Sequence, residues 1–252
     1  DYNIAMGTDA LTADTYGSMS VAIGTDALAT QNFTTATNSY NTAVGHDAGK
    51  SVTTGIQNTL IGGTAGDALI DADFNVAIGT DALGADTYGS RSVAIGRRAL
   101  YTQNFTTATD SYNTAVGFEA GNDMTTGTNN TLIGGLAGDA ITSAVGNSSL
   151  GYLSLSAETQ GKASVAIGYE ALKLQNTASD AFIFNTAVGY GSGAAVTTAI
   201  KTTLIGALAG DAITTGANNT TLGYNALGAN TAAHSNIAIG VRALDAFNVT
   251  TA

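Results

Sequence analysis

Cysteine, proline and tryptophan are absent from the 252 residues, and charged side chains make up only 11% of them. Without cysteine there is no disulfide framework and no thiolate metal site. No apolar run approaches the ~20 residues that a membrane-spanning helix needs, so no membrane insertion by this segment is expected. Basic residues are scarce: eight Lys and Arg stand against nineteen Asp and Glu, a formal net charge of −11. A nucleic-acid binder uses Lys and Arg to displace phosphate counterions, so nucleic acid is excluded as a partner. An anionic membrane surface is disfavoured for the same reason. The acidity instead suits the solubility of an extended, repetitive surface. Histidine occurs only at His46 and His234. No Ser-His-Asp set, His/Cys cluster or phosphate-binding loop accompanies them, so neither a cofactor nor catalysis is expected.

What is present is glycine, at 32 positions, and a 44% apolar fraction rich in alanine. That fraction is too high for a disordered chain, yet it promises no large aliphatic core. Self-similarity decides the fold class. The unit reads Asn/Ser, β-branched, Ala/Leu, apolar, Gly, x, x, Ala. Full copies are Ser20-Val21-Ala22-Ile23-Gly24, Asn75-Val76-Ala77-Ile78-Gly79, Ser92-Val93-Ala94-Ile95-Gly96 and Ser164-Val165-Ala166-Ile167-Gly168. Units open at Asn3, Ser20, Asn41, Asn58, Asn75, Ser92, Asn113, Asn130, Asn147, Ser164, Asn185, Thr202, Asn219 and Asn236. Successive openings are spaced 17, 21, 17 and 17 apart, then the same again, so that the pattern recurs with a period of 72.

The fifth column is glycine in all 14 units: Gly7, Gly24, Gly45, Gly62, Gly79, Gly96, Gly117, Gly134, Gly151, Gly168, Gly189, Gly206, Gly223 and Gly240. The fourth is always apolar, and the eighth is Ala or, at Ser154 and Ser192, Ser. Duplication of the whole period does not by itself keep the four different units within it aligned; a stacked geometry does. A short β-branched run ending in glycine reads as a strand and a turn. Positions two and four share one face and positions three and eight, both small, the other, where a second backbone can approach. One such unit cannot bury its own apolar face and must stack. The expected fold is all-β: a parallel β-solenoid of 14 coils of length 17/17/17/21, one continuous solenoid over 1–252, cut from a longer fibre. The glycine column supplies a positive φ or close approach, and the ten Asn of the first column an amide ladder. The long coils add one lateral bulge every four coils. Thin coils and an outward apolar column point to a homo-oligomer.

The Ser/Asn-Val-Ala-Ile-Gly-x-x-Ala unit resembles the head repeat of YadA-like trimeric autotransporter adhesins, over all 14 units. The resemblance implies a left-handed β-roll, a homotrimer and an adhesive role outside the cell. Coils of that family are typically shorter, and a four-coil supercycle is unlike a plain head. Asn-Thr-Ala-Val-Gly (41–45, 113–117, 185–189) and Ala-Gly-Asp-Ala-Ile/Leu (65–69, 137–141, 209–213) are also similar to repeats of bacteriophage tail-fibre and virion proteins. The localisation implied is extracellular, on a bacterial surface or a virion.

Candidate binding residues lie in the tails of the long coils, Thr30 to Tyr40, Thr102 to Tyr112 and Leu174 to Phe184. They are Phe33, Tyr40, Phe105, Tyr112, Phe182 and Phe184. Two readings stand: the rings cap a thin core, or they form a periodic stripe that binds a host-surface glycan or protein. Asp67, Asp139 and Asp211, one supercycle apart, read as turn residues; one per four coils is too sparse for the 6–8 oxygens that calcium takes. The turn acids Asp9, Asp26, Asp47, Asp81, Glu119 and Glu170 read as a solvated face, and Arg98, Leu136 and Arg242 interrupt them, which breaks a glycosidase-like carboxylate pairing. Coil lengths of 17 and 21 are not multiples of six, against a hexapeptide acyltransferase. The functional expectation is a structural or adhesive fibre module, a surface adhesin or tail-fibre shaft, with a ligand-free spacer as the alternative.

Overall fold

The computed structural model describes residues 2–232 and 234–246. It contains no helix among these residues; it is a parallel β-solenoid of fourteen coils, as the repeat predicts. The chain divides into two compact units, Asp1–Thr128 and Asn129–Ala252. Each holds seven coils, and each coil carries one three-residue strand at positions two to four of the repeat. Coils are numbered here from the one that opens at Asn3.

Pairing is parallel and in the register set by the sequence columns. In the first unit Val76, Ala77 and Ile78 face Val93, Ala94 and Ile95; in the second Thr186, Ala187 and Val188 face Thr203, Leu204 and Ile205. The turns pair as well. Leu28 N–H donates forward to Ala48 O (3.1 Å), and Asp26 N–H donates back to Thr8 O (2.9 Å). A coil thus spends its backbone groups on its two neighbours, which is why a lone unit has no stable structure.

The glycine column is the closest contact between coils. A Cβ on Gly24 would lie 2.3 Å from Gly45 O, and one on Gly168 would lie 2.3 Å from Gly189 O. The φ angles there, 133° and 135°, also exclude a side chain. Close approach and positive φ therefore act together. Three further columns take the left-handed conformation without being glycine. Asp81 (57°) and Leu83 (54°) of the turn and Arg91 (64°), the last residue of the coil, are examples. Each costs roughly 1–2 kcal/mol, offset by the coil-to-coil bonds that their N–H groups make.

Period two puts positions two and four on one face, and that face points outward. The interior belongs to the small columns. Ala22, Ala43, Ala77 and Ala94 at position three, and Ala27, Ala48, Ala82 and Ala99 at position eight, are fully buried. The remaining volume is filled in two complementary ways. Where position nine is leucine (Leu28, Leu83, Leu100, Leu155, Leu172), position twelve of that coil is polar (Gln31, Asp86, Gln103, Glu158, Gln175). Where position nine is glycine (Gly49, Gly66, Gly138, Gly193, Gly210), position twelve is apolar (Val52, Leu69, Ile141, Val196, Ile213). A Cβ on Gly49 would already meet Leu60 Cδ1 at 2.6 Å. Two leucine coils and two glycine coils alternate through the cycle.

The first-column asparagines do form a ladder, but one that runs mainly through backbone. Asn58 Nδ2 donates across its own coil to Ala72 O (2.7 Å), while its Oδ1 accepts from Asn75 N–H of the next coil (2.9 Å). Asn41, Asn75, Asn147 and Asn185 repeat the pattern. The polar twelfth positions form a second buried network. Gln103 Nε2 donates to Asp86 Oδ2 (2.6 Å) and Ser92 Oγ (2.9 Å), and its Oε1 accepts from Asn113 Nδ2 (2.9 Å). Asp86 also accepts from Gly89 and Phe105 N–H, both at 3.0 Å. Burial raises the Asp86 pKa, a rise partly offset by these donors.

Two outcomes follow. Gly96→Ala places a methyl 2.3 Å from Gly117 O at a φ of 131°, so a loss of about 3 kcal/mol or more is expected, read by urea denaturation. Burial also raises Asp67, Asp73 and Asp211 above the usual 3.8. Carboxyls with raised folded pKa values bind protons more tightly folded than unfolded. Their contribution is present in full below the unfolded value and is lost as pH rises through the folded values. Asp26, lowered by its bond to Lys50, acts in the opposite sense from a half-buried place at the surface. The thermal midpoint is therefore expected to rise as pH is lowered from neutral toward the ordinary carboxyl value of 3.8. Scanning calorimetry at several pH values checks this, and a falling midpoint would contradict it.

Candidate functional site

The six aromatics singled out in the sequence divide between two environments. Phe33 and Phe105 are buried, at 5% and 6% exposure. Phe105 sits at the base of the bulge against Gly89, where an added Cβ would be 2.8 Å from its ring. These two cap the interior. In the third long coil that place is filled by Ile183, which is buried against Gly161. Its neighbours Phe182 and Phe184 therefore point outward by strand alternation, and their rings stack at 5.4 Å. Lys162 lies 5.8 Å from the Phe182 ring and pairs with Asp180.

Each long coil does carry a bulge. Thr34, Thr35 and Ala36 are exposed, and the chain then rejoins the preceding coil through Thr37–Asn38, paired with Gly17–Ser18. Thr109–Asp110 rejoins Gly89–Ser90 in the same way.

Tyr40 and Tyr112 are exposed, and they share a column that the eight-position repeat does not include. The residue just before each first-column position is left-handed, with φ of 50–64° wherever it is not glycine. In the first unit this column reads Tyr2, Met19, Tyr40, Gln57, Phe74, Arg91 and Tyr112. Arg91 lies over Phe74 (4.7 Å) and near Tyr112 (5.9 Å), and pairs with Asp110 (2.9 Å). In the second unit the column reads Asn129, Gly146, Ala163, Phe184, Lys201, Asn218 and Ser235, with Phe184 its one ring. The aromatic stripe is thus concentrated in one unit. Aligning the coils over their whole length reveals Phe74 and Arg91, which the long-coil tails alone do not.

A second aromatic array lies one residue past the glycine column. Tyr152, Tyr169 and Tyr190, on successive coils of the second unit, stack at 5.6 and 5.2 Å. Beside Tyr190 is an open cleft of about 350 Å³, lined also by Glu170, Lys173, Leu174, Gly191, Ala194, Ala195, Leu208 and Asp211. The sequence signal for it is the same coil-by-coil alignment.

The turn acids form a solvated ion-pair face. Lys50 bridges Asp26 (3.0 Å) and Asp47 (3.1 Å), Arg97 and Arg98 approach Glu119, and Lys173 pairs with Glu170 (2.9 Å). Exposed pairs of this kind contribute about 0–1 kcal/mol. His46 lies beside Asp47, and His234 Nδ1 accepts from Ala217 N–H. Among the described residues no group of three or more His, Asp or Glu is placed to hold a metal ion. Nor do these residues form any helix long and apolar enough to cross a membrane.

Fold and surface define a repeat-built parallel β-solenoid that presents its chemistry in columns. No protein-family model matches the chain, and no curated protein is significantly similar to it.

The two aromatic environments predict opposite responses. Phe105→Ala empties a buried place and is expected to cost about 3 kcal/mol or more. Tyr112→Ala is expected to stay within about 0.5 kcal/mol of the parent protein. Urea titrations of the two variants check this.

Proposed function

We propose that the chain is a structural and adhesive module of an extracellular fibre, a self-associating scaffold and not an enzyme. The observation that carries this reading is the outward strand face. Apart from Ser148 and Met6, it presents valine, isoleucine, leucine or threonine at positions two and four of every coil. Ile61, Leu150, Ile167, Ile205 and Leu222 are more than a third exposed. The interior, by contrast, is filled by the fully buried alanines and aliphatic side chains of the other columns. Contiguous apolar surface of this kind marks an interaction site, and a parallel array of flat β-branched side chains is complementary to a second copy of itself. Three copies is the arrangement that the resemblance to YadA-like heads implies, along with a left-handed coil and a place on a bacterial surface or a virion.

The adhesive part of the reading draws on the exposed rings. A rigid solenoid holds Tyr40, Phe74, Arg91 and Tyr112 in one column of one unit, and Phe182 and Phe184 on a bulge of the other. Such rings suit a host-surface glycan or protein.

Sedimentation velocity of the whole chain tests self-association. A trimer is expected. The paired substitutions Ile78→Asp and Ile205→Asp, one per unit and both outward, are expected to give a monomer with unchanged far-ultraviolet circular dichroism. A parent protein that sediments as a monomer at high concentration would overturn the reading.

A further inference from the structure

The cleft beside Tyr190 deepens the adhesive part of that reading and does not depend on self-association. It lies on the turn side of coils 10 to 12, beyond the glycine column and off the outward strand face. Its lining comes only from turn positions of the repeat: Glu170 and Lys173 from coil 10, Tyr190 and Ala194 from coil 11, Asp211 from coil 12.

The other two cycles show why the cleft exists. The counterparts of Gly191 and Ala194 in the first cycle are Asp47 and Lys50. There Lys50 reaches across the turn face and ties Asp26 to Asp47. In the second cycle the counterpart of Gly191 is Glu119, engaged with Arg97 and Arg98. The third cycle keeps the flanking acids but replaces the plug with glycine and alanine. The space left, about 350 Å³, falls within the ~300–1,000 Å³ range of small-molecule sites.

Three features define what fits. Tyr190 is held by the stack: Tyr169 covers one face of its ring at 5.2 Å with the planes 7° apart. The next residue of the same column on the other side is Ala207, too small to cover the opposite face. The cleft therefore has a fixed aromatic wall. Asp211 lines it; its Oδ1 is buried from solvent, and backbone N–H groups of its own turn, at Asp211 and Ala212, support the carboxylate, so Oδ2 is the oxygen left to accept from a ligand donor. Glu170 and Lys173 neutralise each other at 2.9 Å and offer one acceptor and one donor at the rim.

An anionic ligand would face two carboxylates. A purely apolar one would cover the carboxylates of Asp211 and Glu170 without offering them a donor. A ligand with an aliphatic C–H face and several hydroxyl donors satisfies wall and rim together. We propose that this cleft binds an uncharged hexose unit of a glycan, stacked on Tyr190 with its hydroxyls donating to Asp211 and Glu170. Burial raises the Asp211 pKa, which weakens it as a site for a cation relative to a hydroxyl.

Saturation-transfer NMR and calorimetry with the whole chain and the methyl glycosides of glucose, galactose and N-acetylglucosamine test the proposal. At least one is expected to bind, with saturation concentrated on one face of the pyranose ring. Tyr190→Ala and Asp211→Ala are each expected to weaken it about tenfold or more, the equivalent of one such contact. The double variant Gly191→Asp/Ala194→Lys restores the first-cycle plug seen at Asp47 and Lys50; it places a side chain at a φ of 60° and 3.0 Å from Leu208 Cδ2, so some stability is lost, but it is expected to abolish binding while leaving far-ultraviolet circular dichroism and sedimentation unchanged. Three results would overturn the proposal: no binding of any of the three glycosides, binding that survives the plug, or displacement by arginine or spermidine, which would assign the cleft to a cationic group. Each leaves the sedimentation result standing on its own.

Discussion

The contact on which the structure depends is glycine against carbonyl. At coil after coil a backbone passes so close to the next that a single methyl would lie 2.3–2.6 Å from the neighbouring oxygen. That approach sets the rung spacing near the ~4.8 Å of paired strands. It also brings the turn N–H groups within reach of the adjacent coil. Once the bonds form, left-handed conformations at leucine, tyrosine and arginine, which would not choose them alone, are held in place beside those of aspartate, which tolerates them better. The local cost and the inter-coil gain are inseparable, so the coils order together.

Inside, the coil is too narrow for a conventional core. Volume is managed by alternation along the axis: a left-handed leucine with a buried Gln, Asp or Glu beside it, then a glycine with an aliphatic side chain beside it. The buried carboxylates at Asp86 and Glu158 are tolerated because Gln103 and Gln175 meet them in fixed orientation. Each glutamine is itself oriented by Ser and Asn of the first column. The network is fully connected, the condition under which polar groups in a dry interior specify one arrangement.

Much of this was legible in the residues, because stacking makes one sequence column into one spatial line. The glycine, aliphatic and asparagine columns announce the coil, its register and its strand. Other parts were not. Period two groups positions two and four without saying which side is inside; the answer lies with position three, where alanine and, at Leu60, Leu132 and Leu204, leucine are fully buried. The left-handed columns carry Leu, Tyr and Arg, which have no such local preference, beside Asp, which has a modest one, so tertiary bonding is what reveals them. Phe33 and Tyr40 look alike as composition. Their fates differ because one falls where the bulge must be plugged and the other on a left-handed residue that turns its ring to solvent. The tyrosine stack and its cleft depend on which residues are missing from coil 11, a signal visible only after the coils are superimposed.

The alternation of leucine and glycine coils has a consequence for how such a chain changes length. Excising one coil would break the two-and-two order of leucine and glycine layers, and where the coil lost is a leucine coil it would also split a Gln from its carboxylate. Excising a whole supercycle joins like neighbours and preserves the order of the layers. Lengthening or shortening in steps of four coils is thus nearly neutral, whereas any other step is penalised. The supercycle is the smallest splice that the interior permits.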